Sequence, residues 1–203
     1  MEADWSAEIG GDAPVIDTGW PGWVDLASDA ASVDLLSEVR SFPPLGTALR
    51  TLLHSCAILR STKCDFWMDD LASEAADPDA QCPEDESCHR LAACYVDLLP
   101  QHLAAWTQFV TVERWTRAFV SSLRPEHCPH ARAEIILREA SSPPVSGFGI
   151  SLYLRDCGTT DASARAALER ALDMVVRHIC AAAPPLRKAE SALQWQQGTS
   201  AGE

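Results

Sequence analysis

The sequence predicts an α+β domain built on a β-hairpin that is covered by amphipathic helices. Three observations predict it. Ala133, Ile135 and Leu137 alternate with Glu134, Ile136 and Arg138, and Phe148, Ile150, Leu152 and Leu154 alternate with Gly149, Ser151 and Tyr153, the period of two that marks half-buried strands. Between the two runs, residues 141–147 include Pro143, Pro144 and Gly147, which cannot continue a ladder and therefore form a loop. Beyond the second run Leu168, Leu172, Val175 and Ile179 recur at spacings of four, three and four, one apolar face of a helix. Residues 158–161 offer its N-cap, and Pro184 and Pro185 end it. Two strands alone do not hold together in water, so this helix is expected to lie across the hairpin's apolar face.

The 203 residues fit one domain, and an apolar fraction of 47% can fill a core. The formal charge of −13 is unevenly placed: residues 1–39 hold nine acids and residues 65–86 another nine, with no Lys or Arg in either. Such a balance excludes partners bound through basic patches, so neither nucleic acid nor an anionic membrane surface is expected. Residues 1–5 are acidic and no long apolar run follows; neither a signal peptide nor a transmembrane helix is expected, and the location is read as cytoplasmic. Eight cysteines without a Cys-x-x-Cys pair, in a chain read as intracellular, argue against a disulfide framework.

Residues 1–42 carry Gly10, Gly11, Gly19, Gly22, Pro14 and Pro21 without a sustained period, so most of this acidic segment is expected to be disordered. It holds Trp5, Trp20 and Trp23, costly to leave in water. Trp23-Val24-Asp25-Leu26 places an aromatic and an aliphatic side chain three apart among acids; it looks like the short motif that adds a strand to ubiquitin-like modifiers, with Trp23 and Leu26 filling two pockets. Tyr95-Val96-Asp97-Leu98 has the same form.

Pro43 and Pro44 stand where a helix begins, and Leu45, Leu49, Leu52, Cys56 and Leu59 follow at four, three, four and three, a helix of about four turns. Its polar side carries Arg50, His54 and Arg60. Residues 65–86 read as an acidic insert in loop form. From Ser87 onward the chain reads as helical, with pieces at 91–99 and 103–124 separated by Pro100, and the tail 187–203 is polar apart from Leu193 and Trp195. Trp106, Phe109, Trp115 and Phe119 are too many for one helix face, so some belong to the core and one is available to a partner.

The order of helix, acidic insert, helical stretch, hairpin and helix over residues 43–186 resembles the HORMA domain. Leu53-His54-Ser55-Cys56-Ala57-Ile58-Leu59-Arg60-Ser61-Thr62 is similar to the first-helix segment of the small autophagy HORMA proteins, with a Leu-His-Ser step followed by Arg-Ser-Thr. The late helix 164–181, followed by Pro184-Pro185-Leu186, resembles the helix that ends in a Leu-Pro step there. The resemblance implies a HORMA-like fold, with helices packed on one face of a small antiparallel sheet led by the hairpin. It also implies a non-enzymatic adaptor that pairs with another HORMA-domain protein in the kinase complex that starts autophagosome formation, or else a checkpoint or meiotic HORMA adaptor. The contact would use the first and last helices, and helix position selects His54, Arg60, Met174 and His178. Two parts of the family pattern lack a counterpart. Only a short polar tail follows the last helix, so no peptide-trapping belt is expected. Ser142-Pro143-Pro144-Val145-Ser146-Gly147-Phe148 stands in place of the Trp-Pro-Phe finger, whose recruiting role is not carried over.

The chain also carries groups capable of catalytic or metal chemistry. Cys82, Cys88, His89 and Cys94 form one cluster and His127, Cys128 and His130 another. Together they supply enough thiolate and imidazole for zinc, but five residues between successive cysteines is wider than a zinc knuckle. A zinc- or thiol-dependent domain is therefore the rival from another class, and Cys128 beside His127 and His130 is the residue that would act as nucleophile. No phosphate loop, no Gly-x-Ser-x-Gly and no paired helical carboxylates occur. No enzyme activity and no cofactor are expected.

Overall fold

The computed structural model describes residues 1–19, 30–55, 59–71, 88–100 and 103–182. The strands are β1 (Glu2–Glu8), β2 (Ile16–Asp17), β3 (Leu59–Asp70), β4 (Arg90–Pro100), β5 (Arg132–Ser142) and β6 (Val145–Gly158). The helices are α1 (Ser37–Ser41), α2 (Pro43–Ser55), α3 (Phe109–Leu123) and α4 (Asp161–Ala181). The class is α+β. The strands form one mixed sheet in the order β1-β5-β6-β4-β3, with β2 continuing beside β5.

The hairpin stands where alternation puts it: β5 and β6 are antiparallel from Ser142 opposite Val145 to Arg132 opposite Arg155. Alternate residues divide the sheet into two faces. Ala133, Ile135, Leu137, Ile150, Leu152, Leu154, Cys94, Val96 and Leu98 share one buried core with Leu45, Leu49 and Leu52 of α2, Val112, Trp115 and Phe119 of α3, and Leu168, Leu172, Val175 and Ile179 of α4. The three long helices therefore cover one face. Trp106 is completely buried in this layer, its ring 5.4 Å from that of Trp115, which stacks on Phe119 at 5.1 Å. Both tryptophans are thus core residues.

Helix α4 begins on a capping box. The Ser163 amide donates to Thr160 Oγ1 at 3.2 Å and the Thr160 amide donates to Ser163 Oγ at 2.9 Å, satisfying two donors that a helix start leaves open. Thr160→Ala is expected to cost about 1 kcal/mol of stability, measured by urea denaturation; no change would show that the cap contributes nothing.

The sheet is larger than expected, and its additions come from segments read otherwise. Residues 1–42 are not wholly a tail: β1 runs parallel to β5, Glu2 beside Arg132 through Glu8 beside Arg138, and Ala3, Val33, Val39 and Phe42 are buried. The acids that suggested a solvated tail meet arginines distant in sequence: Glu2 with Arg132 at 2.7 Å, Asp4 with Arg124 at 2.8 Å and Glu8 with Arg138 at 2.9 Å. The stretch 91–99 is a strand and not a helix. It is β4, flanked by β3 and β6 and buried along nearly its whole length, so its apolar run is almost continuous and hides the period of two. The first part of the supposed acidic loop is β3, paired with β4. Helix α2 ends at Ser55, short of Arg60, which lies in β3 opposite Leu99. Among the described residues no helix is long and apolar enough to cross a membrane.

Candidate functional site

The face of the sheet opposite the helices carries a polar band. Side chains of Lys63, Asp65 and Trp67 from β3, Tyr95 and Asp97 from β4, Arg138 from β5 and Tyr153 from β6 line a concavity of about 710 Å³, with residues 14–17 at one wall. Strand register builds it: Asp97 stands opposite both Lys63 and Ser151, and Tyr95 opposite both Asp65 and Tyr153. Gly149 leaves room for the wall, since a Cβ there would lie 2.8 Å from Ile16 Cδ1.

Asp97 is buried and accepts a hydrogen bond from Ser151 Oγ at 2.6 Å. Burial pushes its carboxyl above the ordinary value, against hydrogen bonds from Ser151 and Tyr95 and the charges of Arg138 and Lys63, which favour the ionised form. Burial, and then the charge of Asp97, raises the Tyr95 hydroxyl. The Tyr95 and Tyr153 rings lie 4.7 Å apart, with Lys63 Nζ 5.8 Å from the Tyr95 ring and the Arg138 guanidinium 6.0 Å from that of Tyr153. Arg138 is buried and pairs with Glu8, while its Nε finds no hydrogen-bond partner among the described residues. These groups are spent on one another: the acid is hydrogen-bonded, the phenol is held protonated and the guanidinium is paired. The arrangement suits recognition of a polar or aromatic surface better than proton transfer.

The raised Asp97 carboxyl has a consequence for stability. The folded chain holds this proton more tightly than the unfolded chain, so stability falls as pH rises from the unfolded carboxylate value, about 3.9, toward the raised folded one. Asp97→Asn removes the titration and keeps an acceptor for Ser151. It is expected to raise the melting temperature more at neutral pH than at acid pH; an equal change at both would contradict the assignment.

The residues selected for partner binding fall in different places. His54 is exposed on the last turn of α2. Met174 is only 5% exposed and belongs to the core, because it follows the apolar stripe of α4 one position before Val175; it is withdrawn as a contact residue. His178 is half-buried and engaged within the chain, Nδ1 3.0 Å from Ser122 Oγ and Nε2 2.9 Å from Glu126 Oε1. The side chain of Arg60, and all of Trp23 and Leu26, lie outside the described residues. On α2 and α4, which pack against each other, Thr47, His54, Glu169, Asp173 and Arg177 are exposed.

The cysteines also rearrange. Cys94 faces the helix layer, and burial pushes its thiol up to about 12, as it does that of Cys64, which leaves neither as a ready thiolate. Burial also raises the Cys128 thiol, against its use as a nucleophile. Cys88 pairs with neither Cys82, outside the described residues, nor Cys94, but forms a disulfide with Cys157, Cα atoms 5.8 Å apart. His130 joins this pair, whereas His89 is exposed and His127 and Cys128 line the adjoining concavity. Cys157 was missed as a member because proximity in sequence groups only neighbours in the chain, 82–94 and 127–130, whereas the hairpin register brings Cys157 to His130.

Comparison of the chain with protein-family models, with curated proteins and with solved structures finds no match.

Proposed function

We propose that the chain is a non-enzymatic adaptor of the HORMA type, which pairs with another HORMA subunit in the kinase complex that starts autophagosome formation. One observation carries this: α2, α3 and α4 lie together on one face of a sheet whose inner strands include the hairpin β5–β6. The order helix, helix, hairpin, helix is kept from the family likeness, while β3 and β4 stand where that likeness expected the end of the first helix and the start of the second helical stretch. The polar band supports it, since its charged groups are held by their neighbours. Pairing would use exposed residues of α2 and α4, namely Thr47, His54, Glu169, Asp173 and Arg177. Asp173 and Arg177 form an exposed ion pair at 3.2 Å with side chains 69% accessible, so their reversal perturbs the surface with little effect on the core. Trp23 and Leu26 would serve as an additional contact for a ubiquitin-like modifier.

The test is a double charge reversal, Asp173→Arg with Arg177→Glu, and separately His54→Glu. Capture of the partner HORMA subunit is expected to fall at least about tenfold for one or both, since opposed like charges at an interface cost several kcal/mol. The melting temperature should stay near that of the unaltered chain. Undiminished capture by both variants would contradict the placement.

A further inference from the structure

We infer that Cys88, His130 and Cys157 form a zinc site when the two thiols are reduced, so that this corner of the sheet exchanges a metal for a disulfide. One ligand atom from each of the three residues lies within 4.8 Å of the others, a spacing suited to two thiolates and an imidazole around one tetrahedral ion.

The fold brings them there by register. Arg132 stands opposite Arg155, and the same antiparallel count carried two residues further sets His130 opposite Cys157. On the other side of β6, Leu91 stands opposite Cys157, and the His89 amide donates to the Gly158 carbonyl at 3.1 Å, which draws Cys88 to the same end. The loop holding His130 is itself fixed, because the Ala131 amide donates to the Cys128 carbonyl at 3.2 Å and the Glu2 amide to the Ala131 carbonyl at 3.0 Å. The three side chains thus come from three separate, anchored pieces of backbone, a preorganised donor set rather than a flexible loop.

The surroundings suit a soft divalent ion. A concavity of about 400 Å³ opens beside the cluster, lined by Cys128, Asp156, Ser163 and Arg170 among others. It gives an ion a path inward, and it leaves the fourth tetrahedral position to water. Asp156, which is buried, accepts a hydrogen bond from the Cys157 amide at 2.8 Å and fixes the backbone at that ligand.

The exchange balances. Two thiols of a glutathione-type reductant supply two electrons and two protons, leave as their own disulfide, and convert Cys88 and Cys157 to thiols. Zinc then displaces both thiol protons to solvent and binds the two sulfurs and the neutral His130 ring. In the reverse direction a disulfide oxidant takes two electrons from the two thiolates and departs as two thiolates. The Cys88–Cys157 bond forms and the zinc ion leaves. Each sulfur serves either the bond or the ion, so the two states exclude each other.

The test uses the full chain, reduced with a phosphine, freed of metal and titrated with zinc against a chromophoric chelator. One zinc per chain is expected in the reduced protein, and none that competes with the chelator after oxidation by a disulfide. His130→Ala, Cys88→Ser and Cys157→Ser should each weaken binding by more than the ~10–100-fold that loss of a supporting partner costs at a metal site, while Cys180→Ser should leave it unchanged. Cobalt(II) gives a second measurement that does not depend on one variant folding: thiolate-to-metal charge transfer should appear in the reduced chain and vanish on oxidation. Circular dichroism identifies any substitution that unfolds the protein, and His130→Ala, in a loop, carries the test if Cys157→Ser does so. Failure of the reduced protein to bind zinc, equal binding by the oxidised protein, or wild-type binding by folded His130→Ala would each overturn the proposal.

Discussion

Ala3→Asp is expected to cost about 3–5 kcal/mol, the range for a charge left unpaired in a core. Ala3 is 2% exposed, stands beside Ala133 in the parallel β1–β5 ladder and belongs to the main core cluster. A carboxylate there would either break β1 from the sheet or force α3 away. The neighbouring Glu2, Asp4 and Glu8 already pair with Arg132, Arg124 and Arg138, and the new carboxylate would instead sit among the apolar side chains of the core cluster. The measurement is equilibrium urea denaturation of the full chain. A loss below about 1 kcal/mol, the range of ordinary surface changes, would mean that the N-terminal strand is not part of the folded sheet.

Leu168→Ala should cost about 2–5 kcal/mol, the range for truncating a buried leucine. Leu168 is fully buried, on the face of α4 that packs with β6, and its removal leaves a cavity between two rigid elements that cannot easily close. The midpoint of denaturation should fall while its slope is unchanged, because the same surface is exposed on unfolding. A negligible effect would show that α4 does not cover the hairpin, and would remove the structural basis for treating α2 and α4 as one surface.

How much of this was legible depended on where each signal resides. The hairpin and α4 were visible because one face of each is apolar and the other carries mostly polar residues, so the period shows in the sequence. β4 was not visible: with partners on both edges and most residues buried, Leu91, Ala92, Ala93 and Cys94 present no wet face, and a short apolar run does not distinguish strand from helix. β1 was hidden for another reason. Its partners Arg124, Arg132 and Arg138 lie more than a hundred residues away, and an acidic segment viewed without them has the composition of a disordered tail.

The candidate sites show the same division. His54 stands on α2 and is exposed, since a helix position follows from local spacing; its part in a contact is a proposal. Met174 was misplaced because α4 is buried over a wider arc than its leucine stripe suggests, with Met174, Val175 and Val176 all in the core. The cluster of Cys88, His130 and Cys157 was half legible. Counting outward from Ser142 opposite Val145 sets His130 against Cys157, so hairpin register alone could have joined those two. Cys88 could not be added without knowing that β4 lies beside β6. The Tyr95–Asp97–Ser151–Tyr153 band depends on that same pairing and left no local signature.

The central proposal, that the chain is a HORMA-type adaptor, is tested most directly by affinity capture of the whole chain from its native cells, with bound proteins identified by mass spectrometry and capture repeated with the Asp173→Arg, Arg177→Glu variant. Recovery of a second HORMA protein together with a kinase and its scaffold, reduced in the variant, is the predicted result. Recovery of chromosome or checkpoint proteins in their place, or of no HORMA partner at all, would contradict it.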